Sequence, residues 1–199
     1  MKSRSILFVF LVFYASILTA APENGRSAPA FEATTDEGIT LRLSDLLGKP
    51  VVLEWVNHGC PFVKKHYGSG NMQRVQSRAK ELGAVWLSVV SSAPGKQGFL
   101  SPDGSVSERR KRGSHADHVL LDASGQLGRL YAAKTTPHLY VIDSAGVLVY
   151  QGAVDSISSA DPSDAAKAQN YVLDALEALR EGKPVEPAFT RAYGCAIKY

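Results

Sequence analysis

The stretch V-V-L-E-W-V-N-H-G-C-P-F-V-K-K-H-Y, residues 51–67, carries a change from one backbone period to another. Val51 to Val56 is an apolar, β-branched run of strand length with one carboxylate, Glu54, inside it. Such a run suits a central strand covered on both faces. Pro61 suits the first position of a helix, because the proline ring has no N–H to leave unpaired there. Cys60 therefore sits where a strand hands over to a helix, at the end whose free N–H groups and dipole favour an anion. Lys64 and Lys65 follow one turn on, and His58 and His66 lie close in sequence; a cation at any of these positions favours the thiolate, the reactive form. The competing reading is a buried, inert cysteine at a strand-to-helix junction.

Toward the C-terminus, Gly68-Ser69-Gly70 breaks this helix, and Met72, Val75, Ala79 and Leu82 then recur at helical steps. Ala84 to Val90 reads as a second buried strand. Residues 91–117 are polar and punctuated by Gly and Pro, which predicts a loop with one helical stretch over 105–113. Val119 to Leu121 reads as a short strand, Ser124 to Ala132 as a short helix, and His138 to Ile142 with Val147 to Gln151 as a hairpin around Asp143-Ser144-Ala145-Gly146. The final helix is expected to be capped by Asp161, with Pro162 in its first turn, Ala168, Tyr171, Val172, Ala175, Leu176 and Leu179 as its apolar stripe, and Gly182 and Pro184 at its end. Toward the N-terminus, Phe31 to Thr35 and Ile39 to Leu43 flank the turn residues Asp36-Glu37-Gly38, and Ser44 is expected to cap a short turn that Gly48 closes. That order of elements predicts an α/β three-layer sandwich with a mixed central sheet and an N-terminal hairpin.

The chain has 199 residues, the size of one domain with a proper core. Residues 1–20 are different in kind: Lys2 and Arg4 precede an apolar run from Ile6 to Leu18, followed by small residues. That is the layout of an export signal cleaved after Ala20, with an uncleaved anchor as the alternative. The expected organisation is then a signal at 1–20, a leader at 21–27, the folded domain at 28–182, and an extension at 183–199 that carries Cys195. Removing residues 1–20 takes away two basic residues and no acid, which lowers the net charge from +3 to +1. So balanced a chain gives no electrostatic case for a nucleic-acid partner. The one basic run, Arg109-Arg110-Lys111-Arg112, reads as a solvated face or, alternatively, as an anionic docking patch. Two cysteines in an exported chain are the smallest set that can bridge internally.

Several separate stretches resemble the redoxin branch of the thioredoxin fold, which includes the alkyl hydroperoxide reductase/thiol-specific antioxidant (AhpC/TSA) proteins and the exported TlpA-like thioredoxins. The stretch A-P-A-F-E-A-T-T-D-E-G-I-T-L-R-L-S-D-L-L-G-K-P-V-V-L resembles the family's opening hairpin and first core strand. Cys60-Pro61 opens a helix directly afterwards, and Thr136-Pro137 precedes H-L-Y-V-I-D-S-A-G-V-L-V-Y-Q-G as the cis-proline precedes the family's last hairpin. G-K-P-V at 182–185 and the terminal Y-G-C-A-I-K-Y resemble a peroxiredoxin-like subgroup with an N-H-C-P-[YF]-V-K active stretch and a G-C-x-I-K-[WY] tail. Three departures stand out. Val63 replaces the second thiol of Cys-x-x-Cys, Asn57 and Leu53 stand where a peroxiredoxin has Thr or Ser and Pro, and Gly59 lengthens the subgroup's N-H-C to N-H-G-C.

The resemblance implies an exported, periplasmic or secreted, thiol-dependent oxidoreductase or antioxidant protein with Cys60 as nucleophile. Its partners would be protein or small-molecule thiols and disulfides, with peroxides as a further class. Glu54 would serve proton transfer beneath the sulfur, with a pKa raised by desolvation, or else simply face a polar pocket or the sheet edge. Pro61, Phe62, Thr136 and Pro137 would line the substrate site, the Thr136 backbone pairing with an extended partner chain. His58 and Lys64 would tune the thiol. Cys195 has three open readings: a resolving thiol, a permanent clasp whose long loop stabilises by about 4 to 5 kcal/mol in the chain-entropy model, or an unpaired thiol. The competing class is a non-catalytic binding module with Cys60 and Cys195 locked together. No cofactor is expected; the H-x-x-H of His115 and His118 matches no closed zinc pattern.

Overall fold

The computed structural model describes residues 21–199. The segment read as an export signal, residues 1–20, lies outside the described residues. Among the described residues no helix is long and apolar enough to cross a membrane.

A hairpin of β1 (Glu32–Thr34) and β2 (Thr40–Arg42) opens the fold, pairing Ala33 with Leu41. The central sheet contains β3 (Val51–Trp55), β4 (Val85–Val90), β5 (His118–Leu121), β7 (His138–Ile142) and β8 (Leu148–Gly152) in the order β5-β4-β3-β7-β8. The strands β3, β4 and β5 are parallel, whereas β7 and β8 run antiparallel to their neighbours. The helices are α1 (Pro61–Gly68), α2 (Asn71–Glu81), α3 (Pro102–Lys111), α4 (Gln126–Leu130) and α5 (Tyr171–Arg180). Two short strands, β6 (Thr135–Thr136) and β9 (Cys195–Ala196), pair outside the sheet. This is the α/β sandwich with a mixed central sheet and an N-terminal hairpin that the order of elements implied, and the thioredoxin-like arrangement that the resemblance implied; the sheet has five strands.

The alternation of β3 explains why all five of its residues are buried. Val52 joins the apolar layer that includes Val63, Met72, Val75, Val172 and Leu176, whereas Val51, Leu53 and Trp55 join the opposite layer with Leu127, Tyr131 and Tyr140. Glu54 falls on the first of these faces, so an acid is delivered into an apolar layer. Trp55, Tyr131 and Tyr140 meet edge-on or tilted at 5.1–5.5 Å in the second layer.

Several boundaries differ from those expected. The helix read near 105–113 starts earlier, at Pro102, because the Ser101 hydroxyl accepts from Gly104 N at 3.2 Å. Asp161 caps only a single 3-10 turn, Pro162–Asp164, through Ser163 N. The chain then extends, since Gln169 bonds back to Ser156 and Asn170 bridges Asp155, so α5 begins at Tyr171 under an Asn170 cap and Ala168 is not on its stripe. Ser44 lies inside a 3-10 turn, Leu43–Leu46, whose start is held by the Asp45 carboxylate accepting from Arg42 N at 3.0 Å. The 124–132 helix shrinks to Gln126–Leu130.

Candidate active site

Cys60 is the N-cap of α1, in an extended conformation, with Pro61 at the first helical position. The helix ends at Gly68, and Gly70, at φ +72°, turns the chain into α2. Across from the start of α1, the Thr136–Pro137 peptide bond is cis and Thr136 belongs to β6. The C-terminal extension decides what Cys60 meets. Residues 188–190 run beside β8, with Gln151 N donating to Ala188 O and Thr190 N to Gln151 O. Past Gly194 the chain forms β9, antiparallel to β6, with Cys195 opposite Thr136. Ile197 N donates to Lys134 O, Ala93 N to Lys198 O, and the Tyr199 hydroxyl to Ala133 O, which ties down the far side.

The outcome is a pair of free thiols with their sulfurs 2.8 Å apart. The Cys60 sulfur also lies 3.0 Å from Thr136 O. Cys60 is fully buried and Cys195 partly exposed. Burial alone would raise the Cys60 pKa. Hydrogen bonds outweigh it, from the Cys195 thiol and the Val63 and Cys195 N–H groups, with a smaller part from the Thr136 side chain, and bring the thiol below its ordinary value. Cys195 moves the other way: desolvation and its donation to Cys60 push it up to about 11, slightly offset by Lys198. Cys60 is thus the more acidic thiol of the pair and Cys195 the more basic.

Glu54 is fully buried and saturated. It accepts from the Tyr67 hydroxyl at 3.0 and 3.1 Å, Trp86 Nε1 at 2.9 Å, Ser88 Oγ at 3.1 Å and Gln76 Nε2 at 3.3 Å. Desolvation raises its pKa despite those donors and the Arg112 charge. It makes no hydrogen bond to Cys60 and is a hub between β3, α1, α2 and β4. His58 is half-buried with its pKa lowered by desolvation, so it is neutral where a cation was expected. Lys64 is exposed on α1 and makes no hydrogen bond or ion pair with the sulfur. The Cys195 thiol and the backbone N–H groups of Val63 and Cys195 lower the Cys60 pKa in their place. Pro61 is exposed, while Phe62 packs edge-on against Tyr193 at 5.8 Å and supports the extension.

A second polar cluster, which no sequence pattern announced, fixes Tyr193. Lys65 is fully buried, its Nζ 3.3 Å from Asp155 Oδ2 and 2.8 Å from Ile157 O. The Tyr193 hydroxyl donates to Asp155 and lies 3.2 Å from His66 Nε2, while His66 Nδ1 is 2.9 Å from Asn71 Nδ2. Since the amide and the phenol each donate once, His66 must carry its proton on Nε2, giving it to Tyr193. Burial, opposed by Asp155, holds the His66 pKa down to about 4, which keeps that ring neutral. The only sequence cue was Lys65-His66 on a helix whose opposite partner lies 90 residues away. The basic run is also partly spent: Arg109 pairs with Glu37 at 2.9 Å, and Arg112 pairs with Glu108 and covers the Tyr67 ring at 4.5 Å. Among the described residues no group of three His, Cys, Asp or Glu could hold a metal ion.

Residues 24–151 match the AhpC/TSA family. Among solved structures, an uncharacterized conserved protein from Geobacillus kaustophilus is 25% identical, with a TM-score of 0.77 over 89% of this chain and 92% of that one. A putative thiol:disulfide interchange protein DsbE from Chlorobium tepidum is 25% identical, with a TM-score of 0.50 over 66% and 85% of the two chains. The peroxidoxin BcpB from Mycobacterium tuberculosis, 19% identical with a TM-score of 0.56 over 79% of this chain and 98% of that one, shares the fold. No curated protein matches. The match over residues 24–151, together with the mixed sheet and the cysteine at the start of α1, makes this chain a member of the AhpC/TSA family of thioredoxin-fold redoxins.

Proposed function

We propose that this protein is an exported thiol-dependent oxidoreductase in which Cys60 is the nucleophile and Cys195 the resolving thiol. The carrying observation is the 2.8 Å approach of the two sulfurs at the start of α1. Val63 removes the second cysteine of the motif, and β9 supplies a replacement from the other end of the chain. In the oxidising half-reaction the Cys60 thiolate attacks a disulfide R–S–S–R′, forming Cys60–S–S–R and releasing R′S⁻. Cys195 then attacks the Cys60 sulfur, closing the bridge and releasing RS⁻, while its own proton goes to solvent. With a peroxide the first step gives a Cys60 sulfenic acid, and closure releases water. A disulfide reaches the buried Cys60 sulfur only when β9 lifts, so small oxidants have the easier route. Export rests on the pattern of residues 1–20.

The test is to give the reduced protein oxidised glutathione or hydrogen peroxide and map the products by mass. Formation of a Cys60–Cys195 bridge, abolished in Cys60→Ser and arrested at a mixed disulfide or sulfenic acid in Cys195→Ser, supports the reading. A bridge that resists millimolar reductant refutes it. That result would favour the second reading, a binding module with a permanent clasp, which the anchoring of the extension on both sides of Cys195 makes a specific competitor.

A further inference from the structure

Two helix faces enclose a cavity that neither cysteine lines. At the end of α3, Glu108, Lys111 and Arg112 stand three and four residues apart and so share one side. On α1, Val63 with Tyr67 and Lys64 with Gly68 form two adjoining rows at the same spacing. Closed at one end by His58 and Gly59, these rows border a space of about 440 Å³, a volume within the range of about 300–1,000 Å³ that small-molecule sites occupy.

The inner wall is apolar and the rim is basic. Val63 and Tyr67 are buried side chains of the core. Gly68 leaves the wall open, since a Cβ placed there would meet nothing within 4 Å. Lys64 and Lys111 are exposed and enter no ion pair among the described residues, so with Arg112 three cations share one carboxylate, that of Glu108. Within the basic run, Arg109 is spent on Glu37, whereas Lys111 and Arg112 turn to this cavity.

Unspent hydrogen-bonding groups belong to the same lining. The Arg112 guanidinium lies over the Tyr67 ring at 4.5 Å, and its Nε and Nη1 are buried with no hydrogen-bond partner among the described residues. Glu108 Oε1 stands 3.4 Å from that Nε, an ion pair without a hydrogen bond. His58 Nδ1 is buried and without a partner as well. A buried donor left unpaired costs the full desolvation of the group, so this lining gains from an acceptor that a ligand brings.

We propose that the cavity between α1 and the end of α3 is a binding site for a small organic carboxylate with a compact apolar or aromatic body. The carboxylate accepts from the Arg112 fork and offsets the positive charge that Glu108 leaves uncovered. The body lies along Val63 and Tyr67, in the space that Gly68 leaves free. Inorganic phosphate brings the charge but leaves that wall wet, and a neutral aromatic covers the wall but leaves the donors unpaired. The inference goes beyond the oxidoreductase reading and does not rest on it, because neither sulfur takes part in the binding.

The experiment titrates the reduced full chain with phenylacetate by calorimetry and follows the His58 ring signals by NMR; acetate, inorganic phosphate and phenylacetamide are the comparisons. Phenylacetate is expected to bind with a Kd on the order of 0.1–1 mM and to shift the His58 signals, each comparison binding about tenfold more weakly. Arg112→Lys keeps the charge but loses the planar fork, and should weaken phenylacetate about tenfold. Gly68→Leu fills the cavity from a position with room for a side chain, and should abolish binding with circular dichroism unchanged. Cys60→Ser should bind as the native chain does. No binding at millimolar phenylacetate, an unmoved His58, undiminished affinity in Gly68→Leu or Arg112→Lys, or any comparison compound that matches phenylacetate overturns the proposal, and none of these results bears on whether the two thiols turn over.

Discussion

Replacing Gly194 by Ala perturbs the site at the point where the extension turns toward Cys60. Gly194 has φ +133°, and a Cβ there would stand 2.1 Å from Thr136 O and 2.8 Å from Thr136 C. Those neighbours are backbone atoms of β6, to which β9 is paired, so the strand must move, not a flexible side chain. A normal carbon-to-oxygen contact is about 3.3 Å, so β9 has to shift by about 1 Å, as much as the whole adjustment that separates the 2.8 Å sulfur pair from a bond of about 2.05 Å. The substitution also forces Ala into a backbone region that costs about 1–3 kcal/mol, and weakens one or two β6–β9 hydrogen bonds worth about 1 kcal/mol each. A loss of about 3 kcal/mol is a drop of over a hundredfold in the tendency of the pair to close, which for a two-electron couple is about 60 mV toward a more oxidising potential. The assay equilibrates native protein and Gly194→Ala with graded mixtures of reduced and oxidised glutathione, quenches with acid, and quantifies the bridge by mass. The central sheet is untouched, so circular dichroism should be unchanged. A variant that stays folded with a potential within about 10 mV of native would refute the idea that the close backbone approach at Gly194 sets the sulfur separation.

Two further expectations concern the buried charges. Because the folded-state pKa of Glu54 is raised, the native state binds its proton more tightly than the unfolded chain, so Glu54 costs stability as pH rises from about 4.5 through that raised value. Urea titrations of Glu54→Gln against native should show their difference shifting in favour of the variant by about 1.4 kcal/mol per pH unit inside that window; a flat or opposite trend would show that burial is not what dominates there. Asp155→Ala strips the fully buried Lys65 ammonium of its counter-charge and the Tyr193 hydroxyl of its acceptor, an expected loss of about 3–5 kcal/mol by urea unfolding together with faster alkylation of Cys195. A loss below about 1 kcal/mol would mean that the cluster does not hold the extension down.

The residues 51–67 announced by themselves that a buried strand feeds a helix at a cysteine, since an apolar β-branched run, a proline at the first helical position and a glycine break are all read from neighbours in sequence. The alternation that makes Glu54 an interior acid was equally legible, as was the hairpin after Thr136-Pro137. The start of α5 was not. Asp161 and Pro162 are good local signals, yet the pairing of Asp155 with Asn170 keeps the intervening chain extended, and that competition depends on a contact across the fold. The partner of Cys60 was beyond sequence for the same reason. Nothing near residue 195 specifies that its strand will lie on Thr136, because that position depends on Tyr193 meeting Asp155 and His66, on Gly194 passing the Thr136 carbonyl and on Tyr199 reaching Ala133. Local propensity acts over a few residues and fixed the strand, the helix start and the thiol at their junction; the pairing of the two sulfurs is a sum of contacts distant along the chain, which exists only once the core has closed.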